Sequence, residues 1–145
     1  MKRERQKPFS QSFSIMGKEF FDAGKVSTEI KSMLKELGME AGIVRRIAIA
    51  MYEAEMNVVM YASEATVTLE LTPKMIKIVV DDRGPGIPDV ELAMQEGYST
   101  ATDEMREMGF GAGMGLPNIK RNADSFWIES IVGKGTKLEI CVNIN

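Results

Sequence analysis

Asp82-Arg83-Gly84-Pro85-Gly86-Ile87 and, downstream, Gly109-Phe110-Gly111-Ala112-Gly113-Met114-Gly115-Leu116 are two glycine clusters in one chain, and a helix-compatible Glu53-x-x-x-Asn57 precedes both. Glycine has no Cβ, so its backbone N–H groups can come close to phosphate oxygens. A carboxylate and a carboxamide four residues apart on a helix face the same side and can meet one ligand. Together the three stretches read as one nucleotide site.

The flanking sequence predicts the scaffold. Phe9 to Ile15 alternates as a first strand, and a helical pattern runs from about Glu19 to Leu37, ending at Gly38. A second helix is expected from Glu40 to Ala62. Its Ile47-Ala48-Ile49-Ala50-Met51-Tyr52 segment is apolar nearly all round, which implies burial on most sides and makes Glu53 and Asn57 stand out. Glu55 points elsewhere by helical geometry and reads as a surface residue or an ion-pair partner. Thr66 to Leu71 and Met75 to Val80 form strands joined by Thr72-Pro73-Lys74, and Pro88 to Glu96 suits a short helix. Residues 97–109 are polar and aperiodic, as in a mobile loop. Leu116 to Ala123 reads as a helix, followed by strands Ser125 to Ile131 and Thr136 to Val142 around Gly133-Lys134-Gly135. Alternation places Trp127 in the core. The order, with hairpins in place of repeated βαβ crossovers, predicts an α+β fold of two layers, helices on one face of a mixed, mostly antiparallel sheet. The expected organisation is a flexible stretch over residues 1–7 and a single domain over residues 8–145.

Composition removes several function classes. Histidine is absent, which excludes Ser-His-Asp, Cys-His and histidine–metal chemistry and leaves proton transfer to carboxylates. The single cysteine, Cys141, allows neither an internal disulfide nor a cysteine metal site. The formal charge is −3, with basic residues dispersed apart from a short basic start, which disfavours nucleic acid. No run approaches the ~18 apolar residues of a membrane span, and the polar start lacks a signal-peptide core, so no membrane association and a cytoplasmic location are expected. The 12 methionines read mainly as adaptable core filler, with Met105, Met108 and Met114 the exceptions. Two common phosphate motifs fail. No Gly-Lys pair is followed by Ser or Thr as in a P-loop, and neither cluster has the G-x-G-x-x-G spacing.

What the residues do fit is the ATPase/kinase superfamily of gyrase, Hsp90, histidine kinases and MutL, which the chain resembles from about Phe9 to Val142. The family's N box is matched by Glu53-Ala54-Glu55-Met56-Asn57, its first glycine box by Asp82-x-Gly84-x-Gly86-Ile87, its second by Gly111-x-Gly113-x-Gly115-Leu116, and its final element by Gly135-Thr136. Within it, Asp82 to Asp89, Gly97-Tyr98-Ser99-Thr100 and Asn57 to Ala62 resemble the small serine/threonine kinases of bacterial sigma-factor control, especially the stressosome switch kinase. Ala101 to Met108 is more similar to the longer lid of the anti-sigma kinases.

The resemblance implies a Bergerat-type fold and an ATP- and Mg²⁺-dependent serine/threonine protein kinase acting on a small anti-anti-sigma-like antagonist, with a sigma factor and a second copy of the chain as further candidate partners. It implies Glu53 as general base and Arg106 on the γ-phosphate as catalytic residues. Asn57 would be the Mg²⁺ ligand and Asp82 the adenine acceptor. Gly84, Gly86, Ile87, Gly109, Gly111, Gly113, Gly115 and Leu116 would surround the nucleotide, and Thr136 would hold adenine directly or through water. Two other readings stay open: a nucleotide-dependent anti-sigma or switch module without essential kinase activity, and a histidine-kinase-like catalytic domain acting in trans.

Overall fold

A computed structural model of the chain describes residues 9–95 and 115–144. Within them, strands β1 (Phe9–Met16), β2 (Glu64–Leu71), β3 (Met75–Arg83), β4 (Ser125–Ile131) and β5 (Gly135–Asn143) form one sheet in the order β1-β2-β3-β5-β4. Every pairing is antiparallel, so the parallel component expected of a mixed sheet is missing among the described residues. The last strand does not add at an edge. It folds back from β4 and inserts beside β3, and that insertion brings residues of the sequence far apart into one site.

Period-2 patterning sets the inner face. Ala65, Val67, Leu69 and Leu71 of β2, Ile76, Ile78 and Val80 of β3, and Leu138, Ile140 and Val142 of β5 are buried in one cluster with Phe13 and Ile15. The same cluster contains residues of helices α1 (Lys25–Glu36) and α2 (Ala41–Tyr61), together with Leu116 and Ile119 of the last helix. The helices therefore lie on one face of the sheet, as expected. Each fully buried Ile or Leu here contributes about 1.5–3 kcal/mol relative to exposure.

α2 is buried along its length through Ile43, Val44, Ile47, Ala50, Met51, Ala54, Val58 and Val59. The helical pattern ahead of it is divided. A short 3-10 turn at Phe20–Asp22 is separated from α1 by Gly24, whose φ of +95° only glycine adopts cheaply. Gly24 is also the N-cap of α1 and brings no side chain to the helix's unpaired amides. Those amides are satisfied from α2. Glu55 Oε1 accepts from Ser27 N–H at 2.8 Å, and Oε2 accepts from Gly24 N–H at 3.1 Å and Val26 N–H at 3.2 Å. Glu55 is 1% exposed, which overturns its reading as a surface or ion-paired residue. A carboxylate at a helix N-terminus offsets its own desolvation through charge-assisted bonds and the helix dipole.

Trp127 is a second correction, being 46% exposed on edge strand β4. Phe126 and Ile128 face inward instead, half-buried against the core. With three consecutive apolar residues, alternation alone did not choose the phase. Of the methionines, Met51, Met56 and Met60 are buried and Met33, Met39 and Met94 pack on the core, whereas Met16 is exposed. Met105, Met108 and Met114, the loop over 97–109 and the stretch over 1–7 lie outside the described residues.

Glu55→Ala should cost about 2–4 kcal/mol, because it leaves buried amides of α1 without an acceptor. Urea unfolding should show a lower midpoint, and a midpoint equal to wild type would contradict this coupling of α1 to α2.

Candidate functional site

Along α2 Glu53 and Asn57 are half-buried, one turn apart on the same stripe, with the buried Ala54, Glu55 and Met56 between them. The helix α4 (Gly115–Asn122), which follows the short α3 (Val90–Ala93), covers that stripe and runs antiparallel to α2. A Cβ placed on Gly115 would lie 3.2 Å from Asn57 Oδ1 and 3.5 Å from Glu53 Oε2, so the first residue of α4 sits directly over both polar side chains. One turn on, Asn118 Nδ2 donates to Glu53 Oε1 at 3.4 Å. At the far end Arg46 Nε donates to Asn122 O at 3.1 Å, and its Nη2 pairs with Asp124 at 2.9 Å. Asp124 also accepts from Asn143 N–H, and these bonds, the Arg46 one foremost, hold its carboxyl below the usual range.

Asn118 did not stand out in the sequence. The only signal for it was its i+3 relation to Gly115, which puts both on one helical face. Leu116 is buried and its side chain belongs to the core, so it anchors the start of α4.

The second half of the site lies at the end of β3. Asp82 follows the inward-facing Ile78 and Val80 in strand phase, and its Oδ1 accepts from Thr136 N–H at 2.9 Å. Thr136 Oγ1 shares a hydrogen bond of 2.8 Å with Ser130 Oγ, and Ser130 Oγ accepts from Ile87 N–H at 2.7 Å. A hydroxyl has one proton, so Ser130 can pass it only to Thr136 or, at 3.4 Å, to the Gly135 carbonyl. Ser130 therefore ties the first glycine box to the final element, a role that strand alternation alone did not reveal.

Two glycines here have no substitute. Gly86 has φ +76° and a Cβ on it would fall 2.5 Å from Ile131 O; Gly135 has φ +147° and its Cβ would fall 2.1 Å from Asp82 O. Gly84 lies beside Asp82 Oδ1 and Ala62. Arg106, Gly109, Gly111 and Gly113 lie outside the described residues. Among the described residues no group of three or more acidic or cysteine side chains gathers into a metal cage. No described helix is long and apolar enough to cross a membrane.

The model of the histidine kinase-, DNA gyrase B- and HSP90-like ATPases matches residues 42–145, which contain Glu53, Asn57, Asp82 and Thr136. The chain belongs to this family. It is 34% identical over 113 residues to the serine/threonine-protein kinase RsbT of Bacillus subtilis, spanning 75% of this chain and 79% of that one. It is 37% identical over 95 residues to the anti-sigma F factor of Caldanaerobacter subterraneus, covering 62% of this chain and 63% of that protein's length. The adaptive-response sensory kinase SasA of a Synechococcus strain is 29% identical over 80 residues, 21% of its length. The family is one of nucleotide users, and the expectation of an ATP-dependent serine/threonine protein kinase agrees with these relatives.

Burial, ahead of the neighbouring charge of Asp81, pushes the Asp82 carboxyl up, and the Thr136 N–H opposes this. For a carboxylate whose folded-state pKa lies above its unfolded one, ionisation disfavours the fold. The penalty is absent below the unfolded-state value and complete above the folded-state value. Asp82→Asn should therefore raise the urea midpoint of the ligand-free protein at pH 7, with the difference shrinking as pH falls through the carboxylate range. A variant less stable than wild type at pH 7 would mean that the Thr136 bond outweighs burial.

Proposed function

We propose that this chain binds ATP with Mg²⁺ and transfers the γ-phosphoryl group to a serine or threonine hydroxyl on a small regulatory protein of the anti-anti-sigma type. The observation that supports the reading is the cover of Gly115 over Glu53 and Asn57, in which a carboxylate, a carboxamide oxygen and a helix N-terminus share one small space. Asn57 Oδ1 suits Mg²⁺, an ion that takes few protein ligands and keeps waters and phosphate oxygens as the rest. Bound there with the nucleotide, Mg²⁺ would neutralise phosphate charge.

Glu53 is assigned as the base. The acceptor hydroxyl oxygen forms the new bond to the γ-phosphorus, the bond to the β–γ bridging oxygen breaks, ADP leaves, and the hydroxyl proton passes to the Glu53 carboxylate. Asp82 is assigned to the adenine amino group, with Thr136 and Ser130 beneath it. Guanine presents a carbonyl oxygen at that position, so a carboxylate there selects ATP over GTP. Gly84, Gly86, Ile87 and, from sequence alone, Arg106, Gly109, Gly111 and Gly113 complete the nucleotide contacts.

The likeness to an anti-sigma F factor favours partner capture as a second output of the same fold. A sigma factor and a second copy of the chain, paired through edge strand β1, remain partners within the proposal. Capture from cell extract with Mg-ATP, followed by phosphosite mapping, separates the outputs. Acid-stable phosphoserine or phosphothreonine on a small partner supports the kinase, a retained but unmodified sigma factor supports capture alone, and acid-labile phosphohistidine supports a histidine-kinase-like activity.

Glu53→Gln should reduce transfer by at least about 100-fold with nucleotide affinity within about threefold of wild type. Asp82→Asn should weaken ATP binding by about 10–100-fold and erase the preference over GTP, measured by calorimetric titration. Full transfer by Glu53→Gln would overturn the base assignment.

A further inference from the structure

Asn118 joins two charged groups through the two ends of one carboxamide. Its Nδ2 donates to Glu53 Oε1 at 3.4 Å, while its Oδ1 accepts from Arg121 Nη1 at 3.2 Å. The reversed amide would set its NH₂ against the guanidinium and its oxygen against the carboxylate, replacing two attractions by two repulsions. Arg121 therefore decides which end of Asn118 meets Glu53. The two residues are three apart on α4, so they lie on one face of that helix and the pair is carried by it.

The helix itself is pinned to α2. Asn122 Nδ2 donates to Asn118 O at 2.9 Å, Arg46 Nε donates to Asn122 O, and Ile119 is fully buried between these contacts. Glu53, by contrast, carries its carboxylate on a long, half-exposed side chain with several rotatable bonds. A general base needs its oxygen within hydrogen-bond reach of the proton it takes, and freedom in that chain is paid in rate.

We propose that Asn118, oriented by Arg121, is a positioning residue for phosphoryl transfer: it holds Oε1 of Glu53 and so presents Oε2, the oxygen beside Gly115, to the acceptor. Among the described residues, the groups beside the carboxylate are Asn57 from α2, and Gly115, Asn118 and, through Asn118, Arg121 from α4. The inference rests on Glu53 being the base, and it adds the device that aims it.

Turnover of Mg-ATP by the full chain, with water as the acceptor, tests this. Asn118→Asp keeps the shape and the Arg121 contact but replaces the donor by a like charge. It should lower kcat by about tenfold with KM for Mg-ATP and ADP affinity unchanged. Arg121→Gln, at an exposed position where loss of folding is not at issue, should lower kcat by about threefold, and should have no further effect on kcat in an Asn118→Ala background. Wild-type kcat in Asn118→Asp, while Glu53→Gln is inactive, would overturn the positioning role and leave the base intact. Wild-type turnover in Glu53→Gln would overturn the base and the positioning role together. A loss in Arg121→Gln that persists in the Asn118→Ala background would show that Arg121 does not act through Asn118, and would likewise overturn the proposal.

Discussion

A helix buried on most of its surface has nowhere to hide a polar side chain, and α2 carries three within five residues. Each must find a partner, since an unpaired polar group removed from water costs several kcal/mol at worst. Glu55 turns to the amides of α1, Glu53 accepts from Asn118 of α4, and Asn57 lies beside Gly115 at the start of that helix. No described buried side-chain nitrogen or oxygen is left without a partner. The same requirement thus places both flanking helices and leaves one polar stripe, only half-buried, where a ligand can compete for it.

Asp82 illustrates a related cost at the sheet end. Its carboxylate sits in the inward strand phase and accepts the backbone N–H of Thr136, with burial working against its charge. Polar groups kept at some cost to the empty fold are what a recognition site requires, because a ligand that satisfies them gains what the fold has given up.

Much of this was legible from residues alone because the signals are local. Glu53 and Asn57 share a face by spacing, and the strands follow their alternation, although β2 begins two residues before the expected Thr66 and β3 runs three residues past the expected Val80. What escaped was non-local. Glu55 has the same composition cue as Glu53, and its partners lie 28 to 31 residues away. Gly24 interrupts a pattern that periodicity reads as continuous. Trp127 stands among apolar neighbours that satisfy either strand phase, and the register with β5, which pairs Phe126 with Ile140, Ile128 with Leu138 and Trp127 with Glu139, decided between them. Asn118 and Ser130 are ordinary polar residues in ordinary elements, and only the packing of α4 on α2 brings Asn118 to Glu53 and only the tertiary fold brings Ile87 to Ser130.

The insertion of β5 beside β3 also has a bearing on how the protein is made. Asp82 meets Thr136 across a separation of 54 residues, and until β5 has left the ribosome the nascent chain exposes β3 as an open strand edge. Before that point Asp82, proposed to meet adenine, has no Thr136 N–H beside it, and Ser130 has no Thr136 hydroxyl to share. The same event that protects β3 from pairing with a stranger thus brings Asp82, Thr136 and Ser130 together.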